Sequence, residues 1–296
     1  MAIRVHTLNE IKEKRPSFLA LGSFDGVHLG HQALLKQLVQ AAHAAHARAA
    51  VLTFFPHPKR VILGLTDRYY ITSLEERVSL LANHGVVRMT SATDFVDQLC
   101  QHLQLKALWG GDIKLGYQQE GDHDFLQQLG KVLNFSVNAV PKLITVGDER
   151  VSSTRIRNGL KAGDMADVNA CLGRPFSVHG IVVHGDQRGR TIGFPTANLA
   201  VWEEQLIPAN GVFATIATVD GQPYPAATNV GRRPTVDGVD LRIEAHLLDF
   251  AGDLYDKEVT LQFISRVRDE RKFDGLAALK AQIDADVAQV RQQLIA

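Results

Sequence analysis

The sequence predicts an α/β chain of two domains: a doubly wound parallel-sheet domain, then an antiparallel β-barrel with a terminal helix. Three observations predict this. At 296 residues the chain exceeds what one hydrophobic core usually organises, roughly 250 residues. Before Gly173-Arg-Pro175, short apolar runs alternate with segments of helical period. From Phe176 to about Arg268 the period drops to two. The change of rhythm sets domains at residues 1–173 and 174–296.

Taken in order, Phe18–Gly22 is an apolar run before glycine and reads as a buried strand. Leu29–His46 places Leu34, Leu35, Leu38, Val39 and Ala42 at helical spacing. Ala49–Phe54 reads as a second strand, broken by Pro56 and Pro58. Helices follow at Ser73–His84 and Asp94–Leu103, then a strand at Leu105–Trp109 and a glycine-rich loop. A helix near His123–Leu133 and a strand near Phe135–Val140 complete the alternation, which implies a parallel sheet. Ser152–Thr154 open a further helix running to about Gly163. In the second half, turns at Gly185–Gly193, Asp220-Gly221, Asp237-Gly238 and Gly252-Asp253 separate strands of a sheet or barrel. Leu276, Leu279, Ile283, Val287, Val290 and Leu294 form the apolar stripe of a final helix.

Lys+Arg and Asp+Glu balance at 32 each, which removes any general electrostatic reason to bind nucleic acid or an anionic membrane. Cys100 and Cys171 lie far apart without metal-ligand spacing, as in proteins of a reducing cytosol. The first residues lack the apolar core of a signal peptide, and no apolar run approaches the ~18 residues of a membrane helix. A cytoplasmic protein with small-molecule partners is expected. The residues are silent on oligomeric state.

His28-Leu-Gly30-His31 lies where a strand turns into a helix, and Gly22-Ser23-Phe24 precedes it. A helix N-terminus offers unpaired N–H groups and a positive dipole end to a phosphate. Two histidines three residues apart could donate to phosphate oxygens as charge develops there. The blander alternative is a pair of polar residues capping a helix. Ser153 and Thr154 carry hydroxyls at the start of another helix, with Arg157 one turn in and able to reach an anion. A plain N-cap is the alternative there. In an open parallel sheet, ligands collect at the carboxyl ends of strands, so both segments could face one crevice.

In Gly180–Asn198 an alternating strand runs into a loop punctuated by Gly185, Gly189 and Gly193, able to wrap polyphosphate with backbone amides. Thr196 and Asn198 are neutral oxygen donors two residues apart and share a side of an extended segment. Such a pair suits Mg²⁺ shared with phosphate oxygens. Further on, Arg242, Glu244 and His246 alternate with Ile243, Ala245 and Leu247. The polar set is either a solvent face or a cleft wall in which Glu244 accepts a proton from a substrate hydroxyl.

The HxGH string, the Ser-Ser-Thr-x-x-Arg string and Thr53-Phe-Phe-Pro-His-Pro58 resemble the nucleotidyltransferase superfamily. Within it the first half is similar to the FMN adenylyltransferase half of bacterial bifunctional riboflavin kinase/FAD synthetases. The resemblance implies that His28 and His31 act on ATP. It assigns Gly22, Ser23, Phe24, Gly30, Ser153, Thr154 and Arg157 to its phosphates, and Asp112 to the flavin side. It also implies attack of the FMN phosphate on the α-phosphorus of ATP, with release of pyrophosphate. Four positions depart from the family pattern: Phe55 stands where a polar residue is usual, Ile113 and Leu115 replace loop aromatics, and Gln119 replaces a basic residue.

The second half resembles riboflavin kinase through Gly189–Asn198, Pro208–Phe213, Asn229–Thr235, Glu244–Phe250, Gly252–Tyr255 and Arg268–Phe273. That resemblance implies that Gly185, Gly189 and Gly193 wrap ATP and that Thr196 and Asn198 hold its Mg²⁺. Glu244 is then the general base on the ribityl hydroxyl, with Asn229 and Arg268 on the flavin. Asp256 departs from a common glycine. The expected function is phosphorylation of riboflavin to FMN and adenylylation of FMN to FAD. Its alternatives are a riboflavin kinase with an impaired or repurposed first half, and a flavin-sensing regulator without turnover.

Overall fold

The computed structural model describes residues 15–53, 55–57, 60, 63–84, 89–90, 104–110, 127, 130–131, 134–139, 144–185, 189, 192–235 and 238–295. Two compact units result, one of residues 1–67 and 72–153, the other of residues 68–71 and 154–296. Residues 154–173, which the change of rhythm assigns to the first domain, group in space with the second unit.

The first unit is built on a parallel sheet of β1 (Ser17–Leu21), β2 (Arg48–Leu52), β3 (Met89–Thr90), β4 (Leu105–Gly110) and β5 (Ser136–Ala139). Their spatial order is β3-β2-β1-β4-β5, so the winding reverses between β1 and β4, as in a doubly wound fold. Helix α1 (Leu29–Ala44) buries Leu34, Leu35, Leu38 and Ala42, four of its five periodic residues. These meet Ala20, Ala49 and Val51 of the sheet and Leu81 of α2 (Leu74–Asn83) in one core. A short hairpin, β6 (Thr145–Val146) with β7 (Glu149–Arg150), was not anticipated from the sequence. The expected helices at Asp94–Leu103 and His123–Leu133 fall wholly or mainly outside the described residues.

The second unit begins with α3 (Ser153–Ala162), apart from Ser153 itself, and α4 (Met165–Leu172). Gly173 ends α4 in the left-handed conformation (φ 70°). Six antiparallel strands then close a barrel: β8 (Phe176–Val183), β9 (Ala197–Val201), β10 (Gly211–Val219), β11 (Gln222–Thr235), β12 (Gly238–Leu247) and β13 (Glu258–Arg268). Their order around the barrel is β10-β11-β12-β9-β8-β13. Alternate residues such as Phe213, Thr215, Ala245, Leu261 and Phe263 fill the interior, as a period of two requires.

Helix α5 (Leu276–Leu294) lies on the barrel through Val287, Val290 and Leu294. Leu276, part of the expected stripe, is instead exposed, while Asp286 is buried. The segment Arg68–Ile71 belongs to this unit although it comes from the first half of the chain. Tyr70 is fully buried and stacks on Trp202, and Gln205 Nε2 donates to Ile71 O (3.4 Å).

Candidate functional site

In the first unit, β1 delivers the chain to the point where the sheet's winding reverses, the usual ligand crevice of such folds. The turn that follows is contorted. Phe24 (φ 48°), Gly26 (φ 83°) and Val27 (φ 39°) all have left-handed backbone, which for a β-branched residue such as Val27 is an outlier. His28 then caps α1, its Nδ1 accepting from the His31 N–H at 3.3 Å. With Nδ1 used as an acceptor, the proton of the neutral ring sits on Nε2, which becomes a donor. The His31 ring stacks on His28 with centroids 3.6 Å apart, and the tilted Phe24 ring lies 5.0 Å from it. A Cβ at Gly30 would lie 3.1 Å from the His28 ring, so the glycine of HxGH makes room for the imidazole.

The expected phosphate residues around this turn separate into two groups. Gly22 donates its N–H to Leu52 O (3.1 Å), and Ser23 O accepts from Thr53 Oγ1 (2.8 Å) and Arg77 Nη1 (3.2 Å). Ser153 Oγ, within the same unit, donates to Asp25 O (3.1 Å). Thr154 is exposed and groups with the second unit. So does Arg157, whose Nε donates to Tyr69 O (3.0 Å) while its guanidinium lies 4.0 Å over the Tyr69 ring. Phe55 is 39% exposed. Asp112, Ile113, Leu115 and Gln119 lie outside the described residues.

Sequence reasoning missed the charged pair beneath the turn. Asp25 and Arg77 have side chains 1% and 0% exposed, with Arg77 Nη2 3.3 Å from Asp25 Oδ1. A signal existed. Arg77 shares the helical face of Leu74, Val78 and Leu81, and a charge on an apolar face demands a buried partner.

In the barrel, strand register brings the candidate residues together. Asn198 on β9 pairs with Glu244 on β12, and Glu244 pairs with Asn229 on β11. Paired residues share a face, so these three polar side chains stand in one row on the outside of the barrel. Arg242 Nη1 approaches Glu244 Oε1 at 3.9 Å from two residues along the same strand. β9 and β12 are joined by only two residue pairs, Glu244↔Asn198 and Ala245↔Ala197.

Past those pairs the seam opens into a cavity of about 500 Å³, lined by Thr196, Ala197, Ala245, Leu247 and Tyr255 among others. Its size lies within the roughly 300–1,000 Å³ of small-molecule sites. Tyr255 stacks on His184 with centroids 3.9 Å apart, and His246 Nδ1 meets Pro195 O at 2.8 Å.

The loop after β8 explains two of its glycines. A Cβ at Gly185 would collide with the Asn198 amide, and one at Gly189 would strike the Phe194 carbonyl, 3.5 Å from Thr196 Oγ1. Gly193 has φ 92°. The backbone at Gly185 and Gly189 thus approaches Asn198 and Thr196 closely. This donor set of hydroxyl and amide oxygens near one carboxylate fits Mg²⁺, a hard cation that keeps several waters and phosphate oxygens. Among the described residues no group of three His, Cys, Asp or Glu could hold a metal by itself. Asp256 adopts φ 61°, which accounts for glycine being common there and for Asp being tolerated.

Arg268 sits in the same row, opposite Val212 on β10, but its side chain is engaged elsewhere. Nε and Nη2 fork onto the Asp286 carboxylate at 2.8–3.0 Å, and Gln282 Nε2 donates to the same group (2.7 Å). Asp286 was the second charge missed on an apolar helical face.

Comparison with known proteins gives a consistent result. Residues 10–155 match the FAD synthetase family model and residues 172–294 the riboflavin kinase model. The chain is 38% identical to the bifunctional riboflavin kinase/FMN adenylyltransferase of Pseudomonas fluorescens, covering 94% of this chain and 93% of that protein. It is 35% identical to the protein of the same name from Escherichia coli K12 (97% and 96% covered) and 36% to that of Bacillus subtilis (95% and 94%). A crystal structure described as a macrolide-efflux protein from Streptococcus pneumoniae superposes with a TM-score of 0.87 at 29% identity, covering 98% of this chain and 99% of that one. Among the described residues no helix is long and apolar enough to cross a membrane.

Proposed function

The chain belongs to the bifunctional riboflavin kinase/FMN adenylyltransferase family, and we propose which of its residues carry each reaction. It phosphorylates riboflavin to FMN with ATP, and it adenylylates FMN to FAD with release of pyrophosphate.

For the kinase step, the carrying observation is the row Asn198–Glu244–Asn229 beside the open seam. Glu244 takes the proton from the riboflavin 5′-hydroxyl as its oxygen attacks the γ-phosphorus, and ADP leaves. Thr196 and Asn198 hold the triphosphate, and Gly185, Gly189 and Gly193 let the backbone close on it. Mg²⁺, when bound there, neutralises charge on the phosphoryl oxygens. Asn229 orients the flavin chain from the neighbouring strand. Arg268 bears on the flavin side through its hold on α5, the helix that follows the expected flavin segment.

For the adenylyl step, the stacked His28–His31 pair at the reversal of the sheet supports placing the ATP phosphates there. The FMN phosphate is already an anion, so attack on the α-phosphorus needs positioning and charge stabilisation but no base. His28 Nε2 and the His31 ring donate to the phosphoryl oxygens. Gly22, Ser23, Phe24, Gly30 and Ser153 shape the pocket, and Asp112 serves the flavin side. All partners in this reading are small molecules, and a buried Cys171 suits a reducing cytoplasm.

The test is to incubate the protein with riboflavin, ATP and Mg²⁺ and to separate the flavins over time. FMN should appear first and FAD after it. FMN without FAD would defeat the adenylyl assignment, and no ATP consumption would defeat both.

A further inference from the structure

Neither reaction as written above uses Asp25, Thr72 or Arg77, yet these side chains are buried together directly under the His28 turn. Asp25 Oδ1 accepts from the Thr72 N–H (3.2 Å), from Thr72 Oγ1 (3.3 Å) and from Arg77 Nη2 (3.3 Å). The Thr72 hydroxyl in turn accepts the Gly26 N–H (3.2 Å), and Arg77 Nη1 donates to Ser23 O (3.2 Å). The turn is therefore gripped at Ser23, Asp25 and Gly26, on either side of Phe24 and just ahead of Val27, its two non-glycine residues with left-handed backbone. Backbone of that kind persists only where the surroundings over-determine it.

We propose that Asp25, Thr72 and Arg77 are positioning residues for adenylyl transfer, holding the strained turn so that the His28 and His31 rings and the first turn of α1 face the ATP phosphates. The proposal rests on the reading of this turn as the adenylyl site. The three groups touch no reacting atom in this account. The carboxylate and guanidinium cancel in charge, so they contribute placement rather than attraction for the triphosphate. Loss of the clamp should then appear in turnover more than in ATP affinity, because small misplacements of reacting groups are costly.

The full chain allows an internal control, since kinase turnover reports on an intact protein. Thr72→Val keeps the shape and the buried ion pair, so it is the variant with the mildest effect on folding. It should lower kcat for FAD formation from FMN and ATP roughly tenfold, with KM for ATP and FMN formation from riboflavin changed less than about twofold. Asp25→Asn should cost roughly 100-fold in the same kcat. Arg77→Lys should retain more FAD formation than Arg77→Met. Equal loss of both activities in Thr72→Val, or unchanged kcat with only a lowered melting temperature, would overturn the proposal. His28→Ala separates the two levels. If it abolishes FAD formation while Thr72→Val and Asp25→Asn do not, the clamp is wrong and the site stands. If His28→Ala leaves FAD formation intact, the site reading falls and the clamp with it.

Discussion

In the barrel, Asn198, Glu244 and Asn229 stand in a row because three strands hydrogen-bond in register, and the backbone ladder does the placing. Around His28 no strand ladder places the side chains proposed to meet ATP. There, Thr53, Thr72, Arg77 and Ser153, scattered over 100 residues of sequence, reach in to hold a contorted turn. A site placed by register tolerates change at most neighbouring side chains, provided the strands still pair. A site placed by a buried polar network depends on each member, since removing one leaves its partners unsatisfied in a low dielectric.

Substitutions can break this contrast or sharpen it. The largest effect is expected from Glu244→Gln, which removes the proposed base without altering strand pairing. FMN formation should fall roughly 10²–10⁴-fold. FAD formation from supplied FMN should persist, measured by separating the flavins from parallel reactions. His31→Ala should do the reverse, lowering FAD formation roughly 10²–10³-fold by removing one donor to the developing charge. Kinase turnover assayed on the same preparation should be untouched, and a parallel drop would show that the two sites are not separable.

Asp286→Ala leaves Arg268 without its carboxylate, and breaking such a buried pair costs about 3 kcal/mol. Urea unfolding should show the midpoint falling accordingly, and an unmoved midpoint would mean that the Arg268–Asp286 pair adds nothing to the hold on α5. Gly185→Ala pushes a methyl group into the Asn198 amide, and kcat/KM for ATP in the kinase reaction should fall roughly tenfold. FAD formation is the control there.

The smallest effect concerns Asp249, whose carboxyl is held below its usual range chiefly by its hydrogen bond with Arg291 on α5. A depressed carboxyl pKa stabilises the folded state above the unfolded value, and that contribution is lost as pH falls through the folded one. Arg291→Gln should therefore weaken the protein slightly at neutral pH, and the difference should vanish as acid protonates Asp249 in the folded state. The pair is exposed, so added salt should shrink the difference. A difference that grows with acid would contradict the assignment.

Much of the fold was legible in the chain. Leu34, Leu35, Leu38 and Ala42 of α1 are all buried as their spacing requires, and the switch to period two after Pro175 marks the barrel. The row proposed for the kinase step was half legible: alternation puts Glu244 and Arg242 on one face, but which strand lies beside it is a matter of register. Arg157 shows the limit. Its place one turn into a helix suggested an anion, whereas the structure lays it on Tyr69, a residue 88 positions away. Leu276 likewise fits the stripe of α5 and yet stays exposed, because only the later turns of that helix meet the barrel.

Periodicity, glycine punctuation and the HxGH and Pro-Thr-Ala-Asn strings determined the two fold classes and the residue types at each site, since these depend on neighbours within a few positions. Only the tertiary structure decided that β9, β12 and β11 lie side by side, that the β9–β12 seam opens after two pairs, and that Asp25 is met by Arg77 and Arg268 by Asp286. Buried charges find their partners through desolvation and packing among distant segments, and such energies leave no pattern of fixed spacing along the chain.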